Sequence, residues 1–187
     1  MQTLINTARL AELGLPVPGN TFMLPVSTVP TARGSIRLSS PDPHTPPVID
    51  PNYLGVDSDI QRLLHGIQRA RDLVAAAPLQ PWFAREVLPG PDITSEADLR
   101  TYLADNTMTY WHPVGTCAMG VGPDAVVAPD LRVRGLDGLR VADASIMPTI
   151  TSANPMVPTI MIGEKAADLI RGNQQQPKSI LQSAATR

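Results

Sequence analysis

One cysteine, Cys117, is all that this chain of 187 residues contains. A lone thiol excludes an internal disulfide framework and fits a reducing compartment. Charge is sparse as well: 17% of the residues are charged and the formal net charge is -2. That balance leaves no electrostatic footprint for nucleic acid or an anionic membrane, and the basic residues, nearly all Arg, are scattered singly. A long apolar run is also missing near the start, where Asn6, Arg9 and Glu12 interrupt residues 1–15. A signal peptide or a membrane span needs an unbroken apolar stretch, so the expectation is a cytoplasmic protein without a transmembrane segment. No G-x-G-x-x-G occurs, which excludes from these residues the loop that cradles a dinucleotide pyrophosphate. No internal repeat is visible.

What is present describes a globular chain, with 43% hydrophobic residues and length for one ordinary domain or parts of two. Its 20 prolines are about twice the usual share of roughly 5%. They cluster at 41–51, 78–91 and 123–129, which predicts extended loops between short elements. Residues 32–38 alternate polar and apolar after a glycine and read as a strand of about five residues. Ile60, Leu63, Leu64, Ile67, Ala70 and Val74 repeat at helical spacing and predict a helix over 57–77, stopped by Pro78. Ser95, with Asp98 three positions on, is a capping-type start for a second helix to about Thr107. Residues 139–143 read as a short strand ending in an acid, 149–158 as a loop, and 159–170 as a helix closed by Gly172. A polar, Gln-rich tail follows.

Chemistry concentrates around His112. His44 in the proline-rich loop and His65, offset from the apolar stripe of its helix, carry ordinary surface roles. His112 differs in its mount: Tyr110 and Trp111 precede it, Pro113 restrains its backbone, and small residues follow. A zinc reading fails because one His and one Cys five positions apart have no second ligand pair. Cys117 fits no thiol-protease signature and reads as a buried structural residue. Asn154, 42 positions after His112, lies before Pro155; it is either a helix cap or a hydrogen-bonding partner of a substrate. A helix starting near Pro158 offers a site of partial positive charge, suited to an anion or an electron-accepting ring. Asp143 could bond a cofactor hydroxyl or cap a turn.

Five pieces in order give these residues a family. They are Arg33-Gly-Ser-Ile-Arg-Leu38, Ile49-Asp-Pro-Asn-Tyr-Leu54, His112-Pro-Val-Gly-Thr-Cys-Ala-Met-Gly120, Leu139-Arg-Val-Ala-Asp-Ala-Ser-Ile-Met-Pro148, and Asn154 followed by Pro158-Thr-Ile-Met-Ile-Gly-Glu-Lys-Ala-Ala-Asp-Leu-Ile170. Together, over roughly 30–171, they resemble the C-terminal part of the glucose–methanol–choline (GMC) family of FAD-dependent oxidoreductases. The resemblance implies that His112 is the base near the flavin, that Asn154 assists it, and that Asp143, Ala144, Pro155 and Met156 contact FAD. Oxidising an alcohol removes a hydroxyl proton and a hydride; a neutral imidazole can take the proton, and a carboxamide can hold the same oxygen without competing for it.

The implied fold is α+β. An antiparallel-sheet substrate-binding domain with helices would span 1–108, and the C-terminal segment of an incomplete FAD-binding α/β domain would span 109–171, with a polar tail over 172–187. The nearest approach to the family's Gly-rich loop, Gly115 to Gly122, has the wrong spacing. The expectation is therefore a fragment, a truncated product or one half of a split enzyme. A small alcohol would be its substrate, and a separate N-terminal FAD-binding half would be its partner. The alternative is a remnant or interaction module without the reaction.

Overall fold

A computed structural model of the chain describes residues 2–3 and 24–172. The polar tail from Asn173 onward lies outside the described residues. Two compact units divide between His112 and Pro113.

In the first unit, β1 (Gln2–Thr3) pairs antiparallel with β2 (Val26–Ser27), and β3 (Ser35–Arg37) with β4 (Val48–Asp50), Ile36 opposite Ile49. The expected strand over 32–38 thus keeps only Ser35–Arg37, because the proline-rich segment gives it a short partner. Helix α1 (Asp57–Ala75) follows the predicted stripe: Leu63 and Ile67 are buried and Ile60 and Leu64 pack beside them. It ends two residues before the expected limit: Ala76 is already extended, and Ala77, which precedes Pro78, is disfavoured in the helical region. Helix α2 (Glu96–Asn106) starts as expected from Ser95, whose hydroxyl oxygen accepts from the Asp98 N–H at 3.1 Å. Its Leu103 is fully buried against Leu63 and Ile67.

Two devices hold the irregular parts of this unit to α1. Asp59, buried in the first turn, accepts from the Thr31 N–H at 2.8 Å, the Thr31 hydroxyl at 2.6 Å and the Ala32 N–H at 2.9 Å. Arg71 donates through Nε to Glu86 at 3.0 Å, and through Nη2 to the carbonyls of Gly90 and Ile93, tying down the proline-rich stretch. Gly66 is needed for close approach: a Cβ there would sit 2.1 Å from Cγ1 of Val26 on β2.

The second unit is built of tight turns on one long helix, α3 (Met156–Ile170). Val127, Leu131, Ile146, Met147, Ile162 and Ala166 form its buried core. The expected strand over 139–143 does not form. Leu131, Gly135 and Gly138 all take positive φ, so the chain doubles back sharply, and only an isolated antiparallel bridge joins Arg132 to Arg140. Helix α3 starts three residues before the expected Thr159, because Pro155 sits at the cap and Pro158 in the first turn, where an N–H is not required. Its C-terminal end is closed by Gly172 at φ +75°, as the sequence predicts. Among the described residues no helix is long and apolar enough to cross a membrane.

Candidate active site

His112 closes the first unit, half-buried, and its imidazole meets the Tyr110 ring edge to face, with centroids 5.0 Å apart and planes at 86°. Between them Trp111 has φ +57°, a left-handed conformation that a bulky residue rarely adopts, and is 66% exposed. Its N–H donates to the Thr109 hydroxyl oxygen at 3.0 Å, which fixes the turn. Among the described residues no hydrogen bond reaches either imidazole nitrogen. His44 and His65 are exposed, in keeping with the surface roles read from their positions.

In the second unit the segment 115–120 runs against the stretch that follows Asp143. The Cys117 N–H donates to the Ser145 carbonyl at 3.0 Å and the Met119 N–H to the Ile146 carbonyl at 2.8 Å. On its other side, the Val126 N–H donates to the Ala118 carbonyl at 2.9 Å and the Gly120 N–H to the Val127 carbonyl at 3.0 Å. Gly115 turns the chain into this position at φ +90°, where a side chain would be strained and a Cβ would lie 3.4 Å from the Met147 carbonyl oxygen. Two motifs some thirty positions apart in sequence, roughly, are thereby laced together through the backbone. Cys117 is half-buried rather than fully buried as expected, and no partner activates its thiol among the described residues.

Asp143 does what its capping reading predicts. Its Oδ1 accepts from the Ser145 N–H at 2.8 Å and starts the 3-10 turn Ala144–Ile146. Hydrogen bonding from Ser145, through its side chain and its N–H, holds the Asp143 carboxyl below its ordinary value. The group is exposed. Ala144 packs against the core that α3 shares.

Asn154 does not cap α3. The cap position belongs to Pro155, with no side-chain hydrogen bond, and the Asn154 carboxamide is exposed without a partner among the described residues. Proline has no N–H, so Pro155 and Pro158 leave the Met156 and Val157 N–H groups as the first-turn donors without a partner among the described residues. The Pro155 carbonyl accepts instead from the N–H and hydroxyl of Thr159, at 2.9 and 2.6 Å. No acidic residue lies in that turn to offset its partial positive charge. This combination, a free carboxamide beside two free N–H donors and exposed Met156 and Val157, fits the polar edge and apolar face of a flavin ring. Nothing in the sequence supplies the pyrophosphate cradle, so the fit covers the ring end of FAD alone. Sequence reasoning placed this helix end at Pro158; the Pro-x-x-Pro spacing was the signal that its first turn begins earlier. Among the described residues no group of three or more His, Cys, Asp or Glu could hold a metal ion.

Comparison with known proteins adds a family-level match. Residues 30–163 match the family model described as GMC oxidoreductase. An alcohol dehydrogenase [acceptor] of Pseudomonas putida is 45% identical over 142 residues, 76% of this chain and 26% of the relative. An oxygen-dependent choline dehydrogenase of Chromohalobacter salexigens is 41% identical over 148 residues, 79% of this chain and 26% of the relative. The chain thus spans about a quarter of the length of these curated relatives. Among solved structures, pyridoxine 4-oxidase from Mesorbium loti superposes with a TM-score of 0.73 at 38% identity, over 79% of this chain and 29% of that one. A formate oxidase variant from Aspergillus oryzae RIB40, concerned with FAD modification, superposes with a TM-score of 0.71 at 31% identity, over 77% of this chain and 25% of that one.

Proposed function

Because this chain belongs to the GMC oxidoreductase family, we propose that it is the C-terminal catalytic part of an FAD-dependent enzyme that oxidises the CH–OH group of an alcohol. The reaction would be of the choline or alcohol dehydrogenase type, as in the relatives that the chain resembles. The observation that carries this reading is the amino end of α3, where a free carboxamide, two free N–H donors and two exposed apolar side chains adjoin.

In this reading His112 takes the hydroxyl proton at an imidazole nitrogen that carries no hydrogen bond among the described residues. Asn154 donates a carboxamide hydrogen bond to the same oxygen and keeps it oriented without accepting the proton. Bound FAD would supply the two-electron acceptor for the hydride. The Met156 and Val157 N–H groups, with the dipole of α3 behind them, favour negative charge beside them. Met156 would line that edge, with Pro155 buried beneath it, and the exposed Asp143 carboxylate, next to Ala144, would accept from a cofactor hydroxyl. The pyrophosphate would be held by residues other than these, in the FAD-binding region that full-length relatives carry. A second reading, a non-catalytic module, draws on the lack of a Gly-rich loop in the sequence.

Anaerobic addition of choline or benzyl alcohol to the flavin-loaded protein separates the two readings. The catalytic reading predicts bleaching of the flavin absorbance by at least one of them. Flavin that stays oxidised with a broad panel of primary alcohols would favour the non-catalytic module.

A further inference from the structure

A general base must hold its ring in one orientation, and catalytic histidines are commonly fixed by a hydrogen bond from the nitrogen that does not react. His112 has no such bond among the described residues; its recorded side-chain contact is the edge-to-face stack with Tyr110. The backbone is bent to make that contact. In an extended strand, side chains two positions apart stand about 6.6 Å from each other. The left-handed Trp111, pinned through its N–H to the Thr109 hydroxyl, brings the Tyr110 and His112 rings to 5.0 Å and turns them nearly perpendicular. Both rings are half-buried, whereas the Trp111 indole points to solvent and meets Tyr110 at 6.1 Å in a tilted contact. Strain of this kind persists only where the surroundings enforce it, and it clusters at functional sites. No hydrogen bond engages the Tyr110 hydroxyl among the described residues, so the aromatic ring is the part that acts.

We propose that Tyr110 is a positioning residue for proton abstraction, its ring setting the orientation of the His112 imidazole in place of the usual hydrogen-bonded partner. The proposal rests on the reading of His112 as the base. It predicts that the ring matters and the hydroxyl does not.

Flavin-loaded protein reduced by choline or benzyl alcohol gives the kinetic test. Tyr110→Phe should keep the limiting rate of flavin reduction, while Tyr110→Leu should lower it about ten- to a hundredfold, the scale of loss from a small misplacement of a reacting group. The KM for the alcohol should change much less than the rate. A wild-type limiting rate in Tyr110→Leu would overturn the proposal, and so would an equal loss in Tyr110→Phe. NMR of the chain without flavin gives a second measurement that does not depend on the leucine variant folding. Cross-relaxation between the Tyr110 and His112 ring protons, kept in Tyr110→Phe, is the expected result; its absence in the folded wild-type chain overturns the contact. Loss of activity in His112→Ala together with full activity in Tyr110→Leu sinks this proposal alone. Full activity in His112→Ala sinks the reading of the base.

Discussion

Asp59 shows how one residue can hold together a segment that has almost no regular structure. Burial, the largest single influence, pushes its carboxyl up. The hydrogen bonds from the Thr31 hydroxyl and from the Ala32 and Thr31 N–H groups, with the charge of Arg62, outweigh burial and leave the group below its ordinary value. A carboxyl lowered in the folded state adds stability above its unfolded-state value, and that contribution is lost as pH falls through the folded one. Asp59→Ala would remove the acceptor that the Thr31 and Ala32 donors share, at about 1.5–3 kcal/mol, the range for hydrogen bonds to a charged group. Urea denaturation should show that loss at neutral pH and a smaller gap between variant and wild type in acid. A gap that stays constant with pH would contradict this account of Asp59. The sequence did not reveal the role, because Asp59 looks like any acid in the first turn of a helix; its partners lie 27 and 28 positions away.

At the scale of elements, α3 is apolar on two sides. Ile162 and Ala166 are buried in the core of their unit, while Met156, Val157, Ile160 and Met161 are more than half exposed. Ile162→Ala should therefore cost about 2–5 kcal/mol. Ile160→Ala, at 59% exposure, should stay within about 0.5 kcal/mol. Chemical denaturation of the two variants side by side checks this, and equal costs would contradict the assigned core face. Helices α1 and α2 were legible from apolar spacing, a capping serine and a terminating proline, since those signals are local. The strand expected over 139–143 was not, because the positive φ of Leu131, Gly135 and Gly138 comes from how the chain closes on its own core. Alternation of polar and apolar residues marks strands only where a partner strand can run alongside.

For the whole molecule, two units each carry a small core, one built on Leu63, Ile67 and Leu103 and the other on Val127, Ile146 and Ile162. The family was legible because its motifs occur in order, and the residues that match 30–163 include every candidate site residue named from the sequence. The second unit's lacing was not legible: the backbone bonds of Cys117 and Met119 to Ser145 and Ile146 join segments that no local pattern connects. Nor could the sequence show that Asn154 is free of the helix cap, since Asn is among the commonest cap residues. In the proposed mechanism His112 takes the proton when an alcohol reduces the flavin. Rapid-mixing measurement of alcohol-dependent flavin reduction in His112→Ala, with flavin bound as in the wild type, tests it most directly. The limiting rate should fall by about two to four orders of magnitude, the usual range for acid–base catalysis. An unchanged rate with flavin bound would contradict it.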